Sequence, residues 1–259
     1  MKIRIAMAAG AALLGLFPGV SMAEGWIVTV GARMTATPPY EGAGHDVLAP
    51  VPSFSLRRAD TPYRFTPPDD SSSIALLHGR YADFGPVVRF RYSRGDEGQL
   101  TGLDKVGWAA EPGAFLNLWP TNWLRGRVEA RHGAIGHYGW VGDAGIDAIY
   151  TGSRWQASLG PRIGYGDSRY FHKYFGVTLA EANRSPLIAA RYEPDGGRRY
   201  TGVEAALGYR LFGGFRLIGD VGYHRLSSAI AQSPVIQVAG SRDQLTGSVG
   251  LTYSFGVGH

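Results

Sequence analysis

The stretch of residues 244–255 alternates between apolar and polar positions with a period of two. One set is apolar or glycine and ends in aromatic residues: Leu245, Gly247, Val249, Leu251, Tyr253 and Phe255. The intervening set is small or polar: Gln244, Thr246, Ser248, Gly250, Thr252 and Ser254. This period places successive side chains on opposite faces of an extended strand. Because ordinary strands run about 5–6 residues, the pattern predicts an unusually long strand with two very different faces.

The same alternation recurs in residues 123–131, 154–165, 202–211 and 215–223. In each segment the charged residues lie on one face, and the opposite face is apolar and tipped with tyrosine, tryptophan or phenylalanine. Phe212-Gly213-Gly214 stands between two of these segments and predicts a tight hairpin. Long apolar faces that end in aromatics are typical of transmembrane barrel strands, whose outer surface meets lipid.

Short turns and long connections alternate along the chain, as the periplasmic turns and outer loops of outer-membrane barrels do. The predicted strands are residues 25–34, 46–57, 72–80, 84–94, 106–118, 122–133, 142–151, 154–166, 200–211, 215–225 and 243–255. An even number is expected when both termini are periplasmic. Residues 61–67 therefore supply the twelfth strand, although Pro62 and Pro67 suit a strand poorly. The prediction is an all-β, antiparallel transmembrane barrel of about 12 strands, with 10 as the alternative.

Composition agrees with this fold. The chain has 38 glycines, 14 tyrosines and 6 tryptophans in 259 residues, and its mean hydropathy is only −0.10. Lipid-facing and lumen-facing residues of a barrel strand cancel in such an average. The chain has no cysteine, which excludes a disulfide and a thiolate metal site.

Residues 1–23 resemble a secretory signal peptide. Lys2 and Arg4 precede an apolar stretch, and Ser21-Met22-Ala23 supplies small residues at a cleavage site. We expect residues 24–259 to form one barrel domain; the alternative is an uncleaved N-terminal helix. The formal net charge of +5 falls to +3 when the two basic residues are removed. No basic run indicates nucleic-acid binding.

Several short stretches, in order and spacing, carry a family resemblance. They are Tyr40-Glu41-Gly42, Tyr174-Phe175-Gly176-Val177, Gly222-Tyr223-His224-Arg225-Leu226, Ser233-Pro234-Val235-Ile236, Gly240-Ser241-Arg242-Asp243-Gln244 and Gly250-Leu251-Thr252-Tyr253-Ser254-Phe255. Together they resemble the MipA/OmpV family of Gram-negative outer-membrane proteins, most specifically from about residue 160 onward. The chain departs from the usual barrel pattern because residues 256–259 follow the terminal aromatic.

The resemblance implies an outer-membrane barrel in contact with outer-membrane lipid. The family's best-known member is described as a scaffold that links a lytic transglycosylase to a murein synthase. Other members are implicated in antibiotic susceptibility and adhesion. The resemblance thus implies a non-enzymatic scaffold or interaction protein of the cell envelope, with those murein enzymes as partners.

The sequence predicts no catalytic, cofactor-binding or metal-binding residue. The seven histidines are His45, His78, His132, His137, His172, His224 and His259. His45 and Asp46 are adjacent in an early loop, but no serine stands in a nucleophile motif. His132 and His137 lack a carboxylate partner in the sequence pattern, so solvated loop residues are the better interpretation. An outer-membrane hydrolase is the least supported function.

The inferred inner face of the barrel is rich in arginine. Its charged residues are Arg89, Arg91, Arg125, Arg127, Arg131, Arg154, Arg162, Arg210 and Arg216, with Glu111, Glu129, Asp147, Glu204 and Asp220. One interpretation is a small-solute pore with anion preference, since rings of arginine select anions. The other, which we favour, is that arginine–carboxylate pairs brace and plug the lumen. A barrel of about twelve strands is intermediate in diameter between eight-stranded barrels, whose interiors are filled by side chains, and sixteen-stranded porins, which enclose a channel.

The longest connection, residues 167–199, is predicted to be ordered. Thr178 and Glu181 form a capping-box pattern that starts a short helix. Four aromatic residues crowd the start of the connection: Tyr170, Phe171, Tyr174 and Phe175. We expect this loop to fold inward and constrict the barrel.

Overall fold

A computed structural model describes residues 25–258. The predicted signal peptide, residues 1–23, and the last residue, His259, lie outside the described part. The strands are β1 (Trp26–Thr37), β2 (Val47–Arg58), β3 (Ser72–Ser73), β4 (Leu77–His78), β5 (Ala82–Arg91), β6 (Ala109–Thr121), β7 (Leu124–His132), β8 (Trp140–Thr151), β9 (Trp155–Gly166), β10 (Gly197–Arg210), β11 (Phe215–Leu226) and β12 (Asp243–Val257). The helices are α1 (Ser168–Phe175), α2 (Leu179–Arg184), α3 (Ser228–Ala231) and α4 (Pro234–Ala239), with one 3₁₀ turn at Gly98–Leu100.

The strands form one antiparallel sheet that wraps into a nearly closed barrel. Long strands adjacent in sequence pair with each other, and β1 also pairs with β12, which brings the first and last strands together. The sheet runs from β2 through β1 and β12 back to β5, which pairs with both β3 and β4. The prediction of an all-β antiparallel barrel of about 12 strands is confirmed. Within residues 25–258, no helix is both long enough and apolar enough to cross a membrane.

The twelve strands are not the twelve segments predicted. Residues 61–67 are not a strand, and the predicted strand at 72–80 is broken into β3 and β4. Pro62 and Pro67 have no backbone N–H to donate to a ladder, which explains why the segment leaves the sheet. The wall therefore consists of ten long strands and one interrupted strand.

The apolar faces of the strands point outward. On β12, Leu245 is 62% exposed and Val249 is 56% exposed, whereas Gln244 and Thr252 on the opposite face are buried. On β9, Trp155, Leu159, Ile163 and Tyr165 are exposed in the same alternating way. As the period-two pattern predicts, the apolar set meets lipid and the polar set faces the lumen.

The two ends of the barrel differ. Residues 79–81, 122–123, 152–154 and 211–214 form short turns at one end, where β1 begins and β12 ends. Residues 38–46, 92–108, 133–139, 167–196 and 227–242 form the long connections at the other end. We call these the short-turn end and the long-loop end; in outer-membrane barrels the short turns are periplasmic.

The helices of the long connections close the long-loop end as a compact cap. Two apolar clusters hold it together. The first contains Val106, Val141, Tyr170, Phe171, Tyr174, Phe175, Tyr200, Leu226, Ile230 and Ile236. The second contains Tyr40, Ala43, Leu100, Leu103, Val177, Ala182, Ile188 and Val235. The four aromatics of α1 are fully buried, as expected for a loop that folds inward.

Candidate functional site

The candidate functional site is the lumen, which the chain itself fills. Residues 59–71, here called the lumen segment, leave β2 at the short-turn end. They rise inside the barrel and rejoin the wall where Ser72 pairs with Val88. Phe65 is the segment's apolar anchor and packs with Trp119, Ile149 and Ala206. Gly208 provides the space, since a Cβ there would lie 3.1 Å from Phe65 Cε2.

Polar residues at the top of the lumen segment are tied to the wall. Asp69 accepts a hydrogen bond from Arg162 Nε at 2.8 Å, and Asp70 accepts one from Arg125 Nη2. Ser71 Oγ donates to Glu129 at 2.6 Å. The segment is thus fixed by charge-assisted hydrogen bonds, which are stronger than neutral ones.

Above the lumen segment, charged side chains of neighbouring strands bridge one another. Arg131 on β7 contacts three carboxylates, those of Glu111, Glu129 and Asp143. Glu111 also accepts a hydrogen bond from His137 Nε2 at 2.9 Å. Arg131, Glu111 and His137 are almost completely inaccessible to solvent. Such groups tolerate burial because each ionised group has close partners of opposite charge.

The cap and the lumen are joined through Tyr170 of α1. Its hydroxyl donates to Glu41 Oε2 at 2.5 Å, and Arg199 donates to the same oxygen at 2.8 Å. The guanidinium groups of Arg91 and Arg199 lie 5.3 Å and 5.4 Å from the Tyr170 ring centroid. Burial raises the pKa of Tyr170 well above its ordinary value, although both arginines oppose the shift. The hydroxyl is therefore a permanent donor to Glu41.

Most of the predicted lumen charges lie inside. These are Arg89, Arg91, Arg125, Arg127, Arg131 and Arg162, and all five predicted carboxylates, Glu111, Glu129, Asp147, Glu204 and Asp220. Arg154, Arg210 and Arg216 share the inward-facing parity but lie at the mouth of the short-turn end. Arg154 and Arg210 are exposed there. Their predicted inner-face parity holds, but parity gives only the face of a strand and not the depth along the barrel axis.

Eight inward-facing charges were missed: Arg33, Glu41, Arg64, Asp69, Asp70, Asp83, Asp143 and Arg199. Asp143 shares the parity of Asp147, so the alternation could have found it. Asp69 and Asp70 carry no such signal because their segment leaves the sheet. With these residues included, the packed lumen of the described chain holds nine arginines and ten carboxylates. The packed lumen therefore has no arginine excess, and the arginines without a carboxylate partner lie at the mouth of the short-turn end.

Little free space remains between the lumen segment and the wall. One cavity, of about 60 Å³, is lined by Asp69, Arg89, Arg162, Tyr200 and other polar residues. Since a water molecule needs about 10–15 Å³ of such space, the cavity has room for only a few waters. Next to it, Glu204 Oε2 and His224 Nε2 are buried, lack hydrogen-bond partners and lie 3.6 Å apart.

The histidines are dispersed. His132 packs against Trp140 with ring centroids 5.0 Å apart, and His78 contacts Asp83 at 2.5 Å. The interpretation of His137 as a solvated loop residue without a carboxylate partner was wrong. His137 is buried and bonded to Glu111, which lies 26 residues away in the chain and meets it only in the fold. Within residues 25–258, no group of three or more histidine, aspartate or glutamate side chains is arranged to hold a metal ion. The expectation of no catalytic, cofactor or metal residue remains a prediction.

The sheet, its outward apolar faces and its polar lumen define an outer-membrane β-barrel. Residues 30–255 match the family model of the MltA-interacting protein MipA. The chain belongs to this family, which confirms the resemblance.

Solved outer-membrane proteins give weaker likenesses. The NanC porin is 10% identical, with a TM-score of 0.41 over 88% of this chain and 98% of that one. An outer-membrane channel from Pseudomonas putida F1 is 12% identical, with a TM-score of 0.42 over 90% and 96%. The channel DcaP of Acinetobacter baumannii is 8% identical, with a TM-score of 0.39 over 91% and 99%. No curated protein sequence matches the chain. The strand register of the chain itself, rather than these likenesses, establishes its fold.

Proposed function

We propose that this barrel is a non-enzymatic scaffold of the outer membrane that binds murein-remodelling enzymes at its periplasmic end. Export through a cleaved signal peptide at residues 1–23 is part of this proposal. The observation that carries it is the filled lumen: the lumen segment, the charge network and the cap occupy the space that a channel would need. The two ends of the barrel then remain as surfaces for contact.

Family membership gives the partner class. The family model is named for interaction with MltA, and the resemblance to the family implies a lytic transglycosylase and a murein synthase as partners. We expect both enzymes to act on the periplasmic side of the membrane, which is where outer-membrane barrels place their short turns. Exposed aromatics at this end, including Trp123 and Phe212, add contact area to the turns.

A binding experiment tests the scaffold. The refolded barrel, held in neutral detergent, is immobilised and exposed to a purified lytic transglycosylase and a purified murein synthase from the same bacterium. We expect both to bind, and Trp123→Ser with Phe212→Ser to weaken binding. The matched control is Leu179→Ser with Leu187→Ser, which alters exposed apolar residues of the cap. The scaffold proposal would be refuted if both double variants lost the same amount of binding affinity, or if the unmodified barrel bound neither enzyme.

The pore alternative is tested by conductance. Arginine–carboxylate pairs close the lumen, so a planar bilayer containing the barrel is expected to stay silent while the protein remains heat-modifiable on gels. Deleting residues 170–198 removes most of the cap but leaves the lumen segment in place. We therefore expect little conductance from that deletion alone. Steady anion-selective openings of the unmodified barrel would favour the pore.

A further inference from the structure

Among the residues that the structure describes, four arginines at the mouth of the short-turn end have no carboxylate partner. They are Arg57, Arg154, Arg210 and Arg216, here called the mouth arginines. Within the described residues, no carboxylate oxygen lies within 4 Å of any of them, in contrast to Arg125, Arg131 and Arg162 in the lumen, which each contact two or three carboxylates. The mouth therefore carries uncompensated positive charge.

Two of the mouth arginines lie against Tyr63 of the lumen segment, and the other two are adjacent to them. The Arg216 and Arg57 guanidinium carbons lie 4.7 Å and 5.9 Å from the Tyr63 ring centroid. Arg210 is the cross-strand neighbour of Arg216, and its backbone N–H donates to the Arg154 carbonyl at 2.9 Å. Tyr63 is 47% exposed, so the cluster is open to solvent at its centre.

Nearby acidic residues do not neutralise this cluster. Asp60 is paired with Arg58 at 3.2 Å. Asp83 accepts hydrogen bonds from Arg64 at 3.0 Å and from Trp119 Nε1 at 2.8 Å. Like charges placed directly opposite each other on paired strands, as Arg210 and Arg216 are, destabilise a sheet unless a counter-charge is supplied. Within residues 25–258 no carboxylate supplies that counter-charge to Arg210 or Arg216, so an acidic group of another molecule can supply it.

The direction in which these side chains point determines which kind of molecule can supply the counter-charge. Arg154 and Arg210 have the inward-facing parity of their strands, whereas their neighbours Trp155 and Tyr209 form an aromatic pair, with ring centroids 4.3 Å apart, on the lipid side. The cluster thus opens toward the aqueous space beneath the barrel rather than toward lipid headgroups. Guanidinium forks bind carboxylates in a directional, bidentate way, and clusters of arginine are a recurring means of recognising acidic motifs.

We propose that the mouth arginines and Tyr63 form a docking site for a carboxylate-rich segment of a periplasmic protein. The identity of the occupant as a protein rests on the proposed scaffold function. The site itself rests on the charge and geometry of the mouth.

Fluorescence anisotropy tests the site. The full mature chain, refolded in a neutral detergent, is titrated against a fluorescein-labelled peptide of ten glutamates at several salt concentrations. We expect binding that weakens as salt rises, and a loss of affinity of about tenfold or more in Arg154→Gln with Arg210→Gln. The matched control, Arg184→Gln with Arg191→Gln, removes the same charge from exposed, ion-paired residues at the opposite end. It should bind as the unmodified barrel does.

Folding of each variant is checked by heat-modifiability on gels, and Tyr63→Ser provides a second variant in the same site. Three results would overturn the inference: no binding by the unmodified barrel, equal binding by both double variants, or full competition by inorganic phosphate at matched ionic strength. Preferential binding to vesicles containing anionic phospholipid would also overturn it, by assigning the site to lipid.

The murein-enzyme binding experiment separates this inference from the proposed function. If the enzymes bind Arg154→Gln with Arg210→Gln at unchanged affinity, the docking site is wrong and the scaffold function stands. If the peptide binds at the mouth but neither enzyme binds the unmodified barrel, the acidic-segment site stands and the scaffold function fails.

Discussion

Replacing Arg131 by methionine is the sharpest test of the charge network. The guanidinium is inaccessible to solvent and contacts Glu111, Glu129 and Asp143. Methionine preserves much of the side-chain length but removes the charge and all the donors. The three carboxylates would then face one another across a space with less positive charge.

The expected loss of stability depends on which cations the three carboxylates keep after the substitution. Removing one partner of a buried ion pair costs about 3–5 kcal/mol, because an uncompensated charge is left behind. Here each carboxylate keeps another cation: Glu111 keeps Arg91, Glu129 keeps Arg127 and Asp143 keeps Arg199. We therefore expect a loss near the lower bound, about 3 kcal/mol in the free energy of unfolding.

Urea unfolding of the barrel in lipid vesicles, followed by tryptophan fluorescence, measures this loss. The matched control is Arg184→Met at the cap. The Arg184 side chain is 54% exposed and pairs with the exposed Asp104. An exposed pair contributes about 0–1 kcal/mol, so the control should unfold almost as the unmodified barrel does. Adding Glu129→Gln to Arg131→Met should recover part of the loss, because it removes one of the stranded carboxylates.

This prediction is wrong if the free energy of unfolding of Arg131→Met differs from that of Arg184→Met by less than about 1 kcal/mol. That result would mean that water or mobile side chains, rather than the observed ion pairs, neutralise the lumen.

Three further predictions concern the lumen segment, the lipid face and the cap. Phe65→Ala should destabilise the barrel by about 3–5 kcal/mol, measured by urea unfolding, because it empties the segment's apolar anchor. Val249→Arg places a charge halfway along β12 on the lipid face and should cost about 2–4 kcal/mol in vesicles; a loss below 1 kcal/mol would contradict the outward assignment. Burial raises the pKa of Glu181, but hydrogen bonds from the backbone N–H groups of Asp104 and Thr178 outweigh it, and the net pKa is below the ordinary value. Its contribution to the cap is then fully present above about pH 4.3 and lost as pH falls through the lowered pKa. Hydrogen exchange of the α2 amides should rise in that acidic range, and Glu181→Gln should abolish the change.

Features that depend on neighbouring residues could be predicted from the sequence. The two faces of β12 follow from a period of two, and the hairpin at Phe212-Gly213-Gly214 follows from turn chemistry. The capping box of Thr178 and Glu181 does begin α2, with both reciprocal hydrogen bonds formed. The inward burial of α1 was also predicted, because four aromatics within six residues need an apolar environment.

Features that depend on the closed barrel could not be predicted in this way. The alternation assigned Arg154 and Arg210 to the inner face, but the stagger of the strands decides that they reach the open mouth while Arg125 and Arg131 lie in the packed interior. The path of the lumen segment was missed because proline excludes residues from a ladder without showing where they go.

The sequence by itself therefore determined the fold class, the lipid-facing surface and the family, since local periodicity and short motifs specify them. Only the tertiary structure decided that the lumen is filled and balanced in charge. That outcome depends on contacts such as Asp69 with Arg162, which lie 93 residues apart in the chain and meet only when the barrel closes around its own segment.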